Sequence, residues 1–346
     1  MAQPHPLSVA PVNAHSPAGS DSAREASVGE AAYNRHVANW RDLYPFHSHY
    51  LALDGLRYHY LDEGRGQTLL CVHGNPTWSF YWRRLVSEFS NTHRVVAVDH
   101  IGCGLSGKPQ KYNYSLAQHI TNLVALIDRL DLRDVTLLAH DWGGAIGLGA
   151  TVERPERFSR LVLFNTGAYR SQEIPLRIAA CRWPVVGPLA VRGLNGFAGA
   201  AIHMATSKPE RFTPAVTAGY LAPYDNWANR VAVQRFVEDI PLSPSHPTFA
   251  RLHEIESALP SLGLPTKLIW GMQDWCFTPR FLERFEREFF PHASSHRFHD
   301  CGHYVVEDAH ERIVPLLRDF LNQPGGRSQE FVSAPPASPP AAALIP

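Results

Sequence analysis

Short apolar runs alternate with longer amphipathic stretches through the middle of the chain. The runs are TLLCVHG (68–74), RVVAVDH (94–100), VTLLAHD (135–141), RLVLFNT (160–166), KLIWGMQD (267–274) and HRFHDCGH (296–303). Each is strand-length, rich in branched residues and ends on polar or small ones. Between them lie helical patterns such as SLAQHITNLVALIDRLDL (115–132), with Ser115 placed to cap. Continuous rather than alternating apolar runs mean strands buried on both faces. With intervening helices they predict a mostly parallel, doubly wound sheet. Ahead of it, YLALDGLRYHYLDEG (50–64) reads as two strands around an Asp54-Gly55 turn, an antiparallel leading edge.

The rhythm breaks at 167–264. That interval holds helical, aromatic patches cut by Pro and Gly, with no strand among them. It follows the sixth strand directly, so it is expected to be a helical cap over the strands' carboxyl ends, where open α/β sheets bind ligands. The core is then 33–166 and 265–323. Residues 1–32 and the Pro/Ala-rich 324–346 read as disordered tails. The N-terminal stretch lacks the apolar region of a signal peptide, and no run is long enough to span a bilayer.

Composition narrows the partners. Acidic and basic residues balance at 32 each among 346 residues. This argues against a nucleic-acid partner or a polybasic membrane patch and suits an apolar small-molecule substrate. The five cysteines form no C-x-x-C pair, which points to a reducing, cytoplasmic setting. The 19 histidines show no metal-binding spacing, and the chemistry below calls for no metal or organic cofactor.

Four positions carry chemistry. In AHDWGG (139–144), Asp141 sits between small residues at a strand-to-helix turn, where acyl hydrolases of this pattern carry serine. A plain N-cap needs no such flanks. The helix terminus is expected to keep its pKa low. In HGNPTW (73–78), the Asn75 backbone N–H can converge with that of Trp142 as an oxyanion hole. The Asn75 amide and the Trp142 indole add two donors for a leaving anion, although a turn former and a core aromatic would look the same. His303, after the last strand and before a helix, can reach Asp141 from above as a base. Asp274, at the end of the preceding strand run, is the acid expected to orient it. Asn165 fills the alternative slot and cannot be anionic, and Asp300 and Asp308 look like turn and helix-start residues.

Nucleophile, acid, histidine is the order of an α/β-hydrolase. A carboxylate nucleophile has a distinct use. Serine attacking saturated carbon would leave an inert ether. A carboxylate leaves an alkyl ester that can still be cleaved or eliminated. Asp141 therefore implies displacement at an sp³ carbon bearing halide, epoxide oxygen or the ring oxygen of a strained lactone.

HGNPTW, DHIGCGLSGKP, HDWGG, WGMQD and GHYVVED together resemble the haloalkane dehalogenase family, in order from Tyr50 to Leu321. That resemblance implies an α/β-hydrolase fold with Asp141 as nucleophile, His303 as base, Asp274 as acid and Asn75 with Trp142 on the leaving anion. The acid's place together with Asn75 is similar to the third dehalogenase subfamily. The cap stretches LNGFAGAAIHMA and GYLAPYDNWANRVAVQRFVEDIPL resemble more closely a sister group, the β-lactone decarboxylases of bacterial long-chain olefin biosynthesis. These convert cis-3-alkyl-4-alkyloxetan-2-ones to cis-alkenes and carbon dioxide, which implies upstream lactone-forming enzymes as partners. Trp183, Phe197, Met204, Tyr220 and Trp227 are the cap residues expected to line an alkyl channel, although they could equally be core. Three other readings stay open: a haloalkane dehalogenase using the same residues, an epoxide hydrolase with Tyr169, Tyr220 or Tyr224 as phenolic acids, and a non-catalytic binding module on the same scaffold.

Overall fold

The computed structural model describes residues 40–171 and 173–326. An eight-stranded sheet organises them: β1 (His49–Leu53), β2 (Leu56–Glu63), β3 (Thr68–Val72), β4 (Arg94–Val98), β5 (Val135–Asp141), β6 (Phe158–Thr166), β7 (Thr266–Gly271) and β8 (Ser294–Phe298). Their spatial order is β1-β2-β4-β3-β5-β6-β7-β8. β1 and β2 pair antiparallel as a hairpin with Leu53 opposite Leu56, and β2 runs antiparallel to β4. Every later pairing is parallel. β3, β5 and β6 are buried along their whole length, which explains why they read as unbroken apolar runs.

Helices cover both faces. α1 (Arg83–Phe89) follows β3. α2 (Leu116–Arg129) starts at Ser115, whose hydroxyl accepts from the Gln118 N–H, and buries Leu116, Ile120, Leu123 and Ile127 on one stripe. α3 (Trp142–Glu153) is buried nearly all round and lies close against the sheet because it is built of small residues. A β-carbon on Gly143 would stand 2.1 Å from the Val72 carbonyl oxygen, and one on Gly144 would strike the Thr166 hydroxyl.

The stretch after β6 is helical, as its patterning suggests: α4 (Leu176–Ala180), α5 (Gly196–Met204), α6 (Pro214–Leu221), α7 (Val231–Glu238) and α8 (Pro247–Ala258). α8 departs from the expectation of one cap over 167–264. Its Ile255 comes within 3.2 Å of where a Gly149 β-carbon would sit, so α8 packs on α3 beside α2 as part of the core layer. α9 (Pro279–Arg284) and α10 (Val305–Leu321) complete the sandwich.

The expected tail 1–32, the start of the core at 33–39 and residues 327–346 lie outside the described residues. At the other boundary, Gly326 donates to the Ser159 carbonyl at 3.1 Å and Arg160 bonds the Gln323 carbonyl, so 324–326 fold back on β6 rather than begin a tail.

Candidate active site

Asp141 ends β5 at φ 54°, ψ −129°, a conformation L-residues rarely hold. Such strain costs on the order of 1–3 kcal/mol and persists only where the surroundings impose it. Here the tight crossing of β3, β5 and α3 imposes it, and the carboxylate is thrust above the sheet. One oxygen accepts the Asn75 backbone N–H at 2.6 Å. The Trp142 N–H is also directed at this carboxylate. The two donors expected to form an oxyanion hole for substrate thus hold the Asp141 carboxylate itself.

His303 stands in the loop between β8 and α10, 7% exposed. Its Nδ1 is 2.8 Å from Asp274 Oδ2, and its Nε2 is 3.7 Å from Asp141 Oδ2. Phe277 stacks on the ring at 5.6 Å, and the buried His140 ring lies 4.5 Å away, its Nε2 donating to the His303 carbonyl at 2.9 Å. Asp274 lies three residues beyond the end of β7, on a turn rather than on the strand as its run suggests. Four groups fix it: His303, the Asn165 amide at 2.9 Å, and the backbone N–H groups of Cys276 and Phe277 at 2.6 and 3.1 Å. Asn165 is itself locked, its carbonyl accepting from the Gly271 N–H at 2.7 Å. Asn165 was visible in the sequence only as a slot that could not be anionic. In the structure it holds Asp274.

The electrostatics correct one expectation. Burial raises the Asp141 pKa, and the opposing pull of His303 and of the Trp142 and Asn75 N–H groups does not overcome it. The helix terminus alone does not keep this carboxylate low. For His303, burial works to lower the pKa, but the Asp274 and Asp141 carboxylates outweigh it and the net shift is upward.

Above these residues is a cavity of about 360 Å³ whose walls are largely apolar. Asp141, His303, Asn75 and Trp142 lie in its lining, as do Cys276 and Tyr304, which the sequence reading did not single out. The Trp142 indole packs at 5.5 Å on Phe236, and its N–H meets no acceptor among the described residues. The Asn75 side chain donates from Nδ2 to the Val233 carbonyl at 3.1 Å, which leaves one hydrogen of that amide for a ligand.

The cap residues divide. Phe197 and Met204 line the cavity. Trp183, Tyr220 and Trp227 do not. Trp183 is 62% exposed, and Trp227 lies outside under the Arg192 guanidinium at 4.6 Å. Tyr220 is buried in a polar cluster, its hydroxyl 2.9 Å from Glu307 Oε2. Glu307 in turn takes a bidentate pair from Arg83 at 2.7 Å on each arm, pinning α6 to α10 and α1. Aromatic content in a cap marks burial or packing, and only the fold tells which side a ring faces.

The α/β-hydrolase fold family model matches residues 67–185. A cis-3-alkyl-4-alkyloxetan-2-one decarboxylase of Shewanella oneidensis is 42% identical over 288 residues, covering 81% of this chain and 90% of the relative. Haloalkane dehalogenase 2 of Mycobacterium bovis is 34% identical over 278 residues, covering 80% and 95%. Among solved structures, the haloalkane dehalogenase DatA of Agrobacterium tumefaciens matches with a TM-score of 0.72 at 27% identity, over 80% of this chain and 96% of that one. The chain belongs to the α/β-hydrolase superfamily, in its haloalkane dehalogenase-like group, and is an enzyme.

Proposed function

We propose that this enzyme is a β-lactone decarboxylase that turns cis-3-alkyl-4-alkyloxetan-2-ones into cis-alkenes and carbon dioxide. The observation that carries the reading is the Asp141 carboxylate on its strained turn, held by the Asn75 N–H at 2.6 Å and opening into an apolar cavity. A carboxylate so placed is built for displacement at saturated carbon. The choice of a lactone over a halide is supported by the 42% identity with the decarboxylase against 34% with the dehalogenase.

In the proposed reaction an Asp141 oxygen attacks the ring carbon that bears the lactone oxygen. The new C–O bond forms as the ring C–O bond breaks, and that carbon inverts. The ring oxygen departs as part of a carboxylate, received by the free hydrogen of the Asn75 amide and by the Trp142 indole N–H. Because attack comes from behind a bond that the ring holds eclipsed with the neighbouring C–C bond, the ester oxygen arrives antiperiplanar to the new carboxylate. Carbon dioxide then leaves. Its C–C bonding pair becomes the alkene π bond, and the Asp141 carboxylate is expelled unchanged. Inversion followed by anti elimination removes both groups from one side overall, so a cis lactone gives a cis alkene. No water is consumed. His303 serves as a cationic neighbour that favours the ionised Asp141, rather than as an activator of water.

The epoxide hydrolase reading lacks its acids among the tyrosines first considered for it. The Tyr169 hydroxyl donates to the Phe281 carbonyl, Tyr220 to Glu307 and Tyr224 to the Thr77 carbonyl. We also assign the enzyme to the cytoplasm, in keeping with five free thiols, and expect lactone-forming enzymes upstream as partners.

The test is a side-by-side assay with a cis-dialkyl β-lactone and a bromoalkane, with a single turnover in heavy-oxygen water. Alkene formation with no label in Asp141 is expected. Halide release at a comparable rate, or label in Asp141 or in an alcohol product, would overturn the reading.

A further inference from the structure

Ten large hydrophobic side chains are exposed among the described residues, and six of them crowd into the stretch 176–194: Leu176, Trp183, Val185, Val186, Leu189 and Leu194. Leu176 is 88% exposed and Leu194 82%. Single exposed hydrophobes need no explanation, but a concentration of this kind marks a contact surface. The stretch has two apolar sides. Its inner side, through Ile178, Cys181, Ala190 and Val191, lines the active-site cavity. Its outer side faces solvent. One layer of chain therefore separates the cavity from the outside.

The stretch itself carries only positive charge. Between Glu173 and Glu210 the chain carries Arg177, Arg182, Arg192 and Lys208 with no Asp or Glu, in a protein whose charges balance overall, and of these four Lys208 is paired, with Asp300 at 2.8 Å. Among the described residues none of the three arginines pairs with a carboxylate. Arg177 lies over the Trp275 ring at 4.3 Å, Arg182 bonds the Val237 and Ile240 carbonyls, and Arg192 bonds the Gln110 side-chain oxygen at 2.8 Å. Neutral partners hold these side chains in place, and the carboxylates nearest them, Glu238 for Arg192 and Asp239 for Arg182, act only from beyond ion-pair distance. Apolar anchors, one of them an indole, interleaved with arginines that form no ion pair are the chemistry of a surface that sits at the headgroup level of a membrane. No helix among the described residues is long and apolar enough to cross one.

We propose that the outer face of 176–194 docks on an anionic phospholipid bilayer, placing the cavity wall against the lipid. Positive charge selects the anionic headgroups, and the six hydrophobes enter the interface. If the substrate is a dialkyl lactone, a point that rests on the function proposed above, this seat puts the site beside the phase in which such a molecule dissolves.

The experiment is sedimentation of the full chain with phosphatidylcholine vesicles containing phosphatidylglycerol, against phosphatidylcholine alone, with no substrate present. Its outcome is therefore independent of the decarboxylase reading. Binding to the anionic vesicles, weakening with added salt, is expected. Trp183→Ser and Leu194→Ser should each weaken it by about tenfold, as the loss of one buried anchor implies. Neither residue lines the cavity, so an unchanged Tm and unchanged turnover of a dispersed short-chain lactone are expected of both. Arg192→Gln should reduce the salt dependence. Absence of binding to anionic vesicles, binding undiminished in the serine variants, or capture of a protein by this face without vesicle binding would overturn the proposal.

Discussion

The Asn75 backbone N–H donates to Asp141 Oδ1 at 2.6 Å. In a serine acyl hydrolase the equivalent donor is kept for the substrate's oxyanion. Here it grips the proposed nucleophile, so that carboxylate is oriented before any substrate arrives. What remains for the departing anion are side-chain donors, Trp142 and the second Asn75 amide hydrogen.

Replacing the nucleophile should separate stability from activity. The raised Asp141 pKa means that the fold disfavours the ionised carboxylate. A neutral isostere removes that cost. Asp141→Asn is expected to lose turnover by about 10,000-fold or more. It should raise stability, read as a higher Tm. Calorimetry at neutral pH checks the gain, and a lower Tm would show that the His303 attraction dominates.

The pH dependence of stability follows from His303. Its folded pKa lies above the ordinary imidazole value of about 6.5, so the fold binds this proton more tightly than the unfolded chain does. That stabilisation is complete below the ordinary value and is lost as pH rises through the raised one. Asp141, also raised, runs the same way: its favourable protonated form is lost as pH rises through its folded pKa. The Tm advantage of the wild type over His303→Gln is therefore expected to shrink on going alkaline. Thermal melts of both across neutral to mildly alkaline pH measure it.

The elbow tolerates no added atom. A Gly144→Ala methyl would strike Thr166, whose hydroxyl bonds the Asp141 carbonyl, and a Gly143→Ala methyl would meet the Val72 backbone at 2.1 Å. The Val72 backbone cannot yield without opening the sheet, and the Thr166 side chain cannot move without giving up its bond to the elbow. Each substitution is expected to cost about 3 kcal/mol or more, read as a lowered denaturation midpoint or as insoluble protein.

Asn165 lies outside the cavity lining and touches the proposed acid, Asp274. Asn165→Ala removes one of the bonds on the acid and frees the Gly271 backbone, at about 1–3 kcal/mol of stability. With the acid less firmly held, the His303 proton should be held less tightly as well. The expected signature is a lower His303 pKa by NMR with turnover reduced about tenfold, and Asn165→Ser should restore part of both.

The Arg83–Glu307 pair is buried on both sides, at 1% and 4% side-chain exposure. Removing one partner strands the other. Arg83→Ala is expected to destabilise by about 3–5 kcal/mol. Tyr220→Phe, which withdraws only a hydroxyl from Glu307, should cost about 1 kcal/mol and leave turnover unchanged, since Tyr220 lies outside the cavity lining. Urea titration distinguishes the two.

Much of this enzyme could be read from the chain alone because the determining constraints are local. Continuous burial writes β3, β5 and β6 as unbroken apolar runs. Close crossing writes α3 as glycines and alanine. A strained turn writes Asp141 between small residues, and the strand-to-helix loops place Asn75 and His303 at fixed points in the order of elements. Other features depend on distant parts of the chain meeting. The pKa of Asp141 is set by burial under a cap more than by the helix it begins. Asn165 reveals its use only when β6 lies beside β7 and Asp274 comes within 2.9 Å. Trp183, Phe197, Tyr220 and Trp227 are alike as sequence, all aromatic and all in the stretch after β6, yet one lines the cavity, one is buried around Glu307 and two face outward. A side chain's type fixes what it can contact, while the packing of the cap against the core decides which contact it makes.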